Sequence, residues 1–157
     1  MTIPSKEVID LIKDSETVKI IATTDENGNP HAVLRESLTI LDDGTLAYGE
    51  PFESSHANSN ILESLWFNKD VSVLVHGKNG VSYQIKGRPA RYVINGPLYE
   101  QFYLNEIETQ NSYADLAGVW LITPKEIQNE TYSVKREEEI KKHPHFQHLD
   151  RILDDKN

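Results

Sequence analysis

The sequence predicts a mainly β fold, a six-stranded antiparallel barrel with α-helices inserted between the strands. Short runs of β-branched and apolar residues recur along the chain and are typical of strands. Tight turns at Asn27-Gly28, Asp43-Gly44 and Asn79-Gly80 separate several of these runs, and such turns favour antiparallel pairing. Closure of six such strands into a barrel removes exposed sheet edges, so we expect a barrel.

Length and composition indicate one soluble globular domain. The chain has 157 residues, of which 38% are hydrophobic and 26% charged, and this length buries a core without cross-links. The absence of cysteine excludes disulfides, thiolate metal sites, iron–sulfur clusters and cysteine nucleophiles. No apolar run reaches the length of a membrane span and no secretory signal is visible, so we expect a cytoplasmic protein.

The charge of the chain restricts its partners. Sixteen Lys and Arg residues face 25 Asp and Glu residues, which gives a formal net charge of −9. A surface this acidic repels phosphate backbones and anionic lipids, so neither nucleic acid nor membrane is expected as a partner. An anionic cofactor would need local help from backbone amides, a helix dipole or a few placed cations.

The pattern predicts strands and helices in alternation. The predicted strands cover residues 17–24, 31–40, 45–48, 71–76, 81–95 and 118–123. A first helix is predicted to begin after the N-cap Ser5. Three further helices are predicted at residues 55–68, 97–105 and 135–142, and a short amphipathic segment follows Pro144. Residues 106–115 are polar and are expected to be irregular. The strand 81–95 is expected to bend at Gly87 and Pro89, because proline cannot donate to a ladder.

The second predicted strand has two unlike faces. Alternation places one group of apolar side chains on one face, namely Ala32, Leu34, Leu38 and Ile40. It places a mostly polar group on the other face, namely His31, Arg35, Ser37 and Thr39. Glu36 interrupts the apolar face, and such a local inconsistency is often found at a functional site.

A polar segment precedes the helix 55–68. Residues 53–60 supply a row of Ser, Asn and His side chains just before and within the first helical turns. A helix start offers free amides and the positive end of a dipole, so this segment suits a phosphate. Helix capping explains one or two of these residues, and both interpretations stay open at this point. The chain contains neither a P-loop nor the dinucleotide-binding glycine pattern.

Over residues 17–134 the chain resembles the FMN-binding split-barrel proteins related to pyridoxamine 5'-phosphate oxidase. The order and spacing of five stretches carry the resemblance: the opening hairpin 19–33, the third strand 44–50, the loop, helix and strand 59–73, the bent strand 83–90 and the closing strand 120–124. The resemblance implies a six-stranded split β-barrel that forms a homodimer and binds FMN in a cleft between the subunits. Residues 135–157 would form a helical tail of the single domain.

The resemblance also implies where FMN contacts the chain. The flavin ring would lie against the second strand, at Val33, Leu34, Arg35, Glu36 and Ser37. The phosphate would lie near the third strand and the following helix start, at Tyr48, Gly49, Ser54, Ser55, His56, Asn58, Ser59 and Asn60. Ser82 or Gln84 would reach the ring from the strand 81–86, and Trp120 would supply an aromatic side chain from the second subunit.

Two departures from the family narrow the expected activity. Many relatives carry Arg-Lys where this chain has Asn60-Ile61, so the phosphate would depend on neutral donors, the helix dipole, His56 and Arg35. The C-terminal Arg and His that hold the pyridoxal substrate have no match in residues 135–148. We therefore expect a flavin-dependent oxidoreductase of unknown substrate, with NAD(P)H as a candidate electron donor and without a nameable catalytic residue. The alternatives are a non-catalytic flavin or haem carrier and, against the charge, a deazaflavin reductase.

Several side chains have a plainer interpretation. Arg35 either serves the cofactor or forms a solvated ion pair with a neighbour such as Glu36. Trp66 and Phe67 are expected in the core or, with Trp120, as anchors of a dimer interface. His56 has the alternative of an exposed loop residue. The C-terminal His143, His145 and His148 match no metal-binding pattern, so no metal is expected.

Overall fold

A computed structural model describes residues 1–110 and 115–144 and folds them around one curled antiparallel sheet. The elements in chain order are α1 (Lys6–Lys13), β1 (Val18–Thr24), β2 (Pro30–Leu34), β3 (Thr39–Ile40), β4 (Leu46–Glu50), α2 (His56–Trp66), β5 (Val71–His76), β6 (Ser82–Val93), α3 (Pro97–Gln110), β7 (Gly118–Asn129) and α4 (Tyr132–Lys142). The seven-stranded sheet has the order β2-β1-β5-β6-β7-β4-β3. The prediction of a mainly β, antiparallel fold is confirmed.

The predicted second strand is two strands in the structure, which accounts for the seventh. The chain leaves β2 after Leu34, makes a turn closed by the amide of Leu38 donating to the carbonyl of Arg35 (3.1 Å), and enters β3 at Thr39. Because β2 and β3 are the two edges of the sheet, the link 35–38 joins one edge to the other. Such a link spans at most roughly 18 Å, so the sheet must curl into a half-barrel.

This break also corrects the predicted faces of the second strand. Leu38 and Ile40 are buried in the core, but Ala32 is exposed and Leu34 is 57% exposed. The prediction that these four side chains share one face is wrong, because the turn at 35–38 interrupts the alternation on which it rested. In β2 the partly buried side chains are His31 and Val33.

The core fills the inside of the curled sheet. The first helix begins at the N-cap Ser5, as predicted, and buries Val8, Leu11 and Ile12. These side chains pack with interior residues of the strands and of α2, among them Ile21, Leu46, Tyr48, Ile61, Val73, Ile85, Trp120 and Ile122. A second cluster on the outer face of β4 and β7 packs against α3 through Phe102, with Ala47 and Val119.

The bend predicted in the long sixth strand is present. The register between β6 and β7 shifts between Lys86 and Gly87 and again between Pro89 and Arg91. A Cβ atom at Gly87 would lie 2.6 Å from a side-chain carbon of Ile122 and 2.9 Å from the carbonyl oxygen of Thr123, so only glycine fits there. The bend lets one strand pair with β5 at its start and with β7 along its length.

Two elements continue further than predicted. The third helix extends to Gln110, so the prediction of irregular structure is wrong for residues 106–110. Its polar sequence lacks an apolar stripe, and the helix is held by Leu98, Tyr99 and Phe102 in its first turns. Strand β7 runs on to Asn129 because β6 continues beside it. The predicted segment after Pro144 lies outside the described residues.

Candidate functional site

A cleft of about 900 Å³ lies beside the link 35–38. The end of α1 and one side of α3 form its other walls, the latter with Gln101, Phe102 and Asn105. Five of the residues predicted to contact the cofactor line it: Leu34, Arg35, Glu36, Ser37 and Gly49. The structure therefore brings the end of β2, the link 35–38 and strand β4 to one cavity.

Arg35 is fixed by a carboxylate that the sequence did not single out. Its Nη2 atom lies 3.1 Å from both oxygens of Glu50, and its Nη1 atom donates to the carbonyl of Leu34 at 2.9 Å. The side chain of Glu50 is fully buried and that of Arg35 is 12% exposed. The expected solvated ion pair with Glu36 is wrong, because the turn at 35–38 directs the guanidinium inward.

Glu50 also holds the start of the second helix. Its Oε1 atom accepts a hydrogen bond from the Ser55 hydroxyl (2.9 Å) and one from the amide of Phe52 (3.3 Å). Ser55 is the N-cap of α2, and its hydroxyl oxygen accepts from the amide of Asn58 at 3.0 Å. One buried carboxylate thus connects the cleft at Arg35 with the helix start.

Strand β4 passes very close to the link 35–38. The amide of Gly49 donates to the Ser37 hydroxyl oxygen (3.0 Å), and that hydroxyl lies 3.3 Å from the Gly49 carbonyl. A Cβ atom at Gly49 would lie 2.9 Å from Leu116 and 3.4 Å from Phe102. The absence of a side chain at position 49 therefore lets Leu116 and Phe102 pack directly against β4.

Four predicted contact residues turn out to be interior. Asn58 accepts from the indole nitrogen of Trp120 at 2.9 Å, and Asn60 donates to the hydroxyl of Thr23 at 3.1 Å. Trp120 and Tyr48 have no exposed surface. Trp120 therefore offers nothing to a second subunit, which corrects its prediction as an interface anchor. Burial raises the pKa of the Tyr48 hydroxyl far above its ordinary value.

Three predicted phosphate contacts are exposed at the start of α2, namely Ser54, His56 and Ser59. The structure adds His31 of β2 to this group, since its ring centre lies 5.8 Å from that of His56. The side chain of Val33 is partly buried on the same face of β2 as His31. A patch with free hydroxyl and imidazole groups therefore surrounds the helix start, as an anion site requires.

Ser82 and Gln84 lie away from the cleft, on the outer face of the sheet. Gln84 pairs with Leu74, which pairs with Ile20, which pairs with Leu34. Gln84 is thus three strands from Leu34, about 14 Å away. Ser82 contacts the ring of His76. Neither side chain reaches the cleft within one subunit.

Lys19 is a further residue that the sequence analysis did not select. It is 7% exposed, lines the cleft and accepts the amide of Arg35 on its carbonyl at 2.9 Å. Burial lowers the pKa of its ammonium group, while Asp14 and Glu36 partly oppose that effect. The sequence did contain a signal for this residue, because a lysine alternates with Ile21 and Thr23 on one face of the strand.

Residues 1–110 and 115–144 contain neither a metal-binding cluster nor a membrane-spanning helix. No group of three or more His, Cys, Asp or Glu side chains is arranged to hold a metal ion. No helix in that part of the chain is long and apolar enough to cross a membrane. His145 and His148, two of the C-terminal histidines, lie outside the described residues.

Comparison with solved structures shows what the fold is. The HupZ protein of Group A Streptococcus superposes with a TM-score of 0.65 at 21% identity, covering 83% of this chain and 96% of that one. An FMN-binding protein of Syntrophomonas wolfei gives 0.62 at 12% identity, with 80% and 87% covered. A candidate pyridoxamine 5'-phosphate oxidase of Lactobacillus delbrueckii gives 0.61 at 18% identity, with 80% and 93% covered. The chain has the split-barrel fold of these proteins.

The likeness extends over most of each split barrel and establishes the fold alone, since identities are low. No protein-family model matches the sequence, and no curated protein matches it. The resemblance noted from the five sequence stretches is thereby confirmed as a resemblance of structure. Cofactor and activity must be argued from this chain's own residues.

Proposed function

We propose that this split barrel is an FMN-binding flavoprotein that acts as an oxidoreductase on a small molecule. One observation carries the proposal: Glu50 joins a cleft beside Arg35 to an exposed polar helix start at Ser55. FMN needs a surface for its ring and a separate site for its phosphate, and these two features supply both. When bound, FMN provides hydride or single-electron chemistry, and the protein provides position and electrostatics.

The ring half of the site uses the link 35–38. The cleft volume of about 900 Å³ is in the range of pockets for a cofactor of this size. The guanidinium of Arg35 is held in place before any ligand arrives, because Glu50 fixes it from the buried side. A held cation at the cleft favours electron-rich atoms of a flavin ring without a further ordering cost.

Fewer side chains are available to contact the phosphate than the sequence suggested. The side chains of Ser55, Asn58 and Asn60 are already hydrogen-bonded to Glu50, Trp120 and Thr23, respectively. They therefore shape the helix start and do not contact the ligand. The exposed donors are Ser54, His56 and Ser59, with His31 beside them. We propose that these groups and the free amides of α2 hold the phosphate.

We further propose a homodimer, with the outer face of β2, β1 and β5 as its interface. Leu34 (57% exposed), Ile20 and Leu74 (36% exposed) form a continuous row across these strands. An exposed apolar row of this kind marks an interaction surface. A second copy there would place its Gln84 and Ser82 beside the partner's edge strand β2, next to the cleft. Trp66 and Phe67 are 75% and 68% exposed, so the prediction of a core position is wrong for both, and they are the competing anchors of an interface.

The test of the cofactor compares FMN with riboflavin, which lacks the phosphate. His56→Glu keeps the helix start favourable, because an acidic residue suits the first turn. It should weaken FMN at least about tenfold, since like charges near a protein surface repel by a few kcal/mol at contact distance. Riboflavin affinity should stay unchanged, and Asn79→Glu in the β5–β6 hairpin should change neither affinity.

The outcomes separate the parts of this proposal. A purified protein without a flavin absorption spectrum, and whose melting FMN does not shift, contradicts a flavoprotein. Equal loss of FMN and riboflavin in His56→Glu means that the phosphate lies elsewhere. Stopped-flow reduction of the bound flavin by NADH or NADPH distinguishes an enzyme from a carrier. Pyridoxal phosphate formation from pyridoxamine phosphate is not expected, because the C-terminal substrate motif is missing.

A further inference from the structure

Lys19 is a buried cation that faces the cleft without a partner. The residue is 7% exposed, on the inner face of β1 with Ile21 and Thr23. Its side chain makes no ion pair and no hydrogen bond within residues 1–110 and 115–144. It lines the cleft, and its Nζ atom is not fully enclosed by protein, so the ammonium group is accessible to a ligand.

An arrangement of this kind is costly for the protein. Partial desolvation disfavours a charge unless a counter-charge or hydrogen bonds offset it. Asp14 and Glu36 act on Lys19 at a distance, but neither is within ion-pair range. Glu36 and Lys19 both line the cleft, so a ligand can reach the lysine beside that carboxylate. Buried charges without partners in clefts are typical of sites that bind a charged ligand.

We propose that the Lys19 ammonium binds the carboxylate of a small organic acid, which is the substrate of the flavin site. The identification of this acid as the substrate rests on the proposed function, but the binding of its carboxylate to Lys19 does not depend on FMN. The carboxylate would lie beside Arg35, whose backbone amide donates to the Lys19 carbonyl. A substrate held there lies next to the proposed ring surface.

The charges of the cleft select a monoanion. Glu36, Asp42 and Asp115 also line it, and the chain carries a net charge of −9. Arg35 is already paired with Glu50 and Lys13 is exposed to solvent, so Lys19 is the mostly buried cation of the cleft that a ligand would match. A dianionic phosphate would meet more repulsion than one lysine offsets. The α3 wall adds the amide side chains of Gln101 and Asn105 and the ring of Phe102, which suit a neutral, partly aromatic body.

The experiment uses benzoate as the probe, with acetate and inorganic phosphate for comparison. Lysines of the full chain carry 13C at the ε carbon, and the Lys19 resonance is assigned with Lys19→Met. Benzoate should shift this resonance saturably and raise the pKa of Lys19, because a bound anion favours the charged form. Lys19→Met should bind benzoate at least about tenfold more weakly. Lys13→Met, at an exposed lysine that also lines the cleft, should bind it unchanged.

Two results overturn the proposal. One is equal benzoate affinity of Lys19→Met and the parent protein. The other is a Lys19 resonance that responds wrongly: no carboxylate shifts it, or phosphate shifts it at a lower concentration than the carboxylates do. FMN binding is measured separately by flavin fluorescence. Carboxylate binding without FMN binding contradicts only the flavin proposal, and FMN binding without carboxylate binding contradicts only this one. Lys19→Met that fails to fold is replaced by Lys19→Gln in the same comparison.

Discussion

Glu50 shows how much one buried carboxylate can organise. Arg35, Ser55 and the amide of Phe52 all direct hydrogen bonds to it, and no part of its side chain reaches solvent. The pair with Arg35 is different in kind from the surface pair of Lys86 and Glu126, whose side chains are 44% and 49% exposed. The Arg35–Glu50 pair is enclosed by protein and the Lys86–Glu126 pair by water, so loss of each pair should change the free energy of unfolding by a different amount.

We expect Glu50→Gln to lower the free energy of unfolding by about 3–5 kcal/mol, because it leaves the Arg35 charge buried without a partner. Urea denaturation monitored by circular dichroism measures this. Glu126→Gln is the matched control and should cost about 0–1 kcal/mol. The double variant Arg35→Met with Glu50→Leu should recover most of the loss. A loss under about 1 kcal/mol in Glu50→Gln would show that water reaches the pair.

Lys19 should make stability depend on pH in the alkaline range. Its folded-state pKa is lowered by burial, whereas the unfolded value stays near 10.5, so the unfolded chain binds more protons between the two. Stability therefore rises with pH in that window, as the penalty of the buried charge disappears. Lys19→Met should be more stable than the parent at pH 7, and the difference should shrink as pH rises toward 10.5. A difference that is constant with pH contradicts an uncompensated charge.

At the scale of elements, the two capped helices α1 and α2 provide a comparison. Each begins with a serine whose hydroxyl oxygen accepts an amide three residues on, Ser5 from Val8 and Ser55 from Asn58. Ser55 alone of the two also donates to a buried carboxylate, Glu50. The same local motif therefore carries a tertiary bond in one helix and none in the other.

Replacement of each serine by alanine should separate the two contributions. Ser5→Ala should cost about 1 kcal/mol, the usual loss of a cap. Ser55→Ala should cost about 1.5–3 kcal/mol more, because a hydrogen bond to a charged group is lost as well. Thermal and urea denaturation of both variants provides the measurement. Equal losses would indicate that Glu50 finds a replacement donor, such as water.

At the scale of the whole molecule, the apolar row on the outer sheet face should decide association. We expect light scattering to return twice the chain mass of 17.9 kDa at micromolar concentration. Leu34→Asp should give the monomer, because a charge within an apolar interface is desolvated without a partner. Trp66→Ser should leave the dimer intact. Dissociation by Trp66→Ser alone would assign the interface to the end of α2, and a monomeric parent protein would contradict the dimer.

Much of the fold followed from local pattern. The Asn-Gly and Asp-Gly turns, the proline and glycine in β6 and the cap at Ser5 act over a few residues, so the sequence displays them directly. The length of α3 was missed for the opposite reason. Residues 106–110 are mostly polar, and in the structure they continue a helix that Phe102 anchors in its earlier turns.

The sequence by itself determined an antiparallel, hairpin-linked β protein, the segment 31–40 with its two unlike faces and the polar helix start at 53–60. Tertiary structure alone decided which of those side chains are available. It placed Asn58, Asn60, Tyr48 and Trp120 inside and directed Arg35 to Glu50, 15 residues away. It also placed Lys19 at a cleft with no ion-pair partner among the described residues. The physical reason is that burial and charge pairing depend on residues far apart in the chain, which no local period encodes.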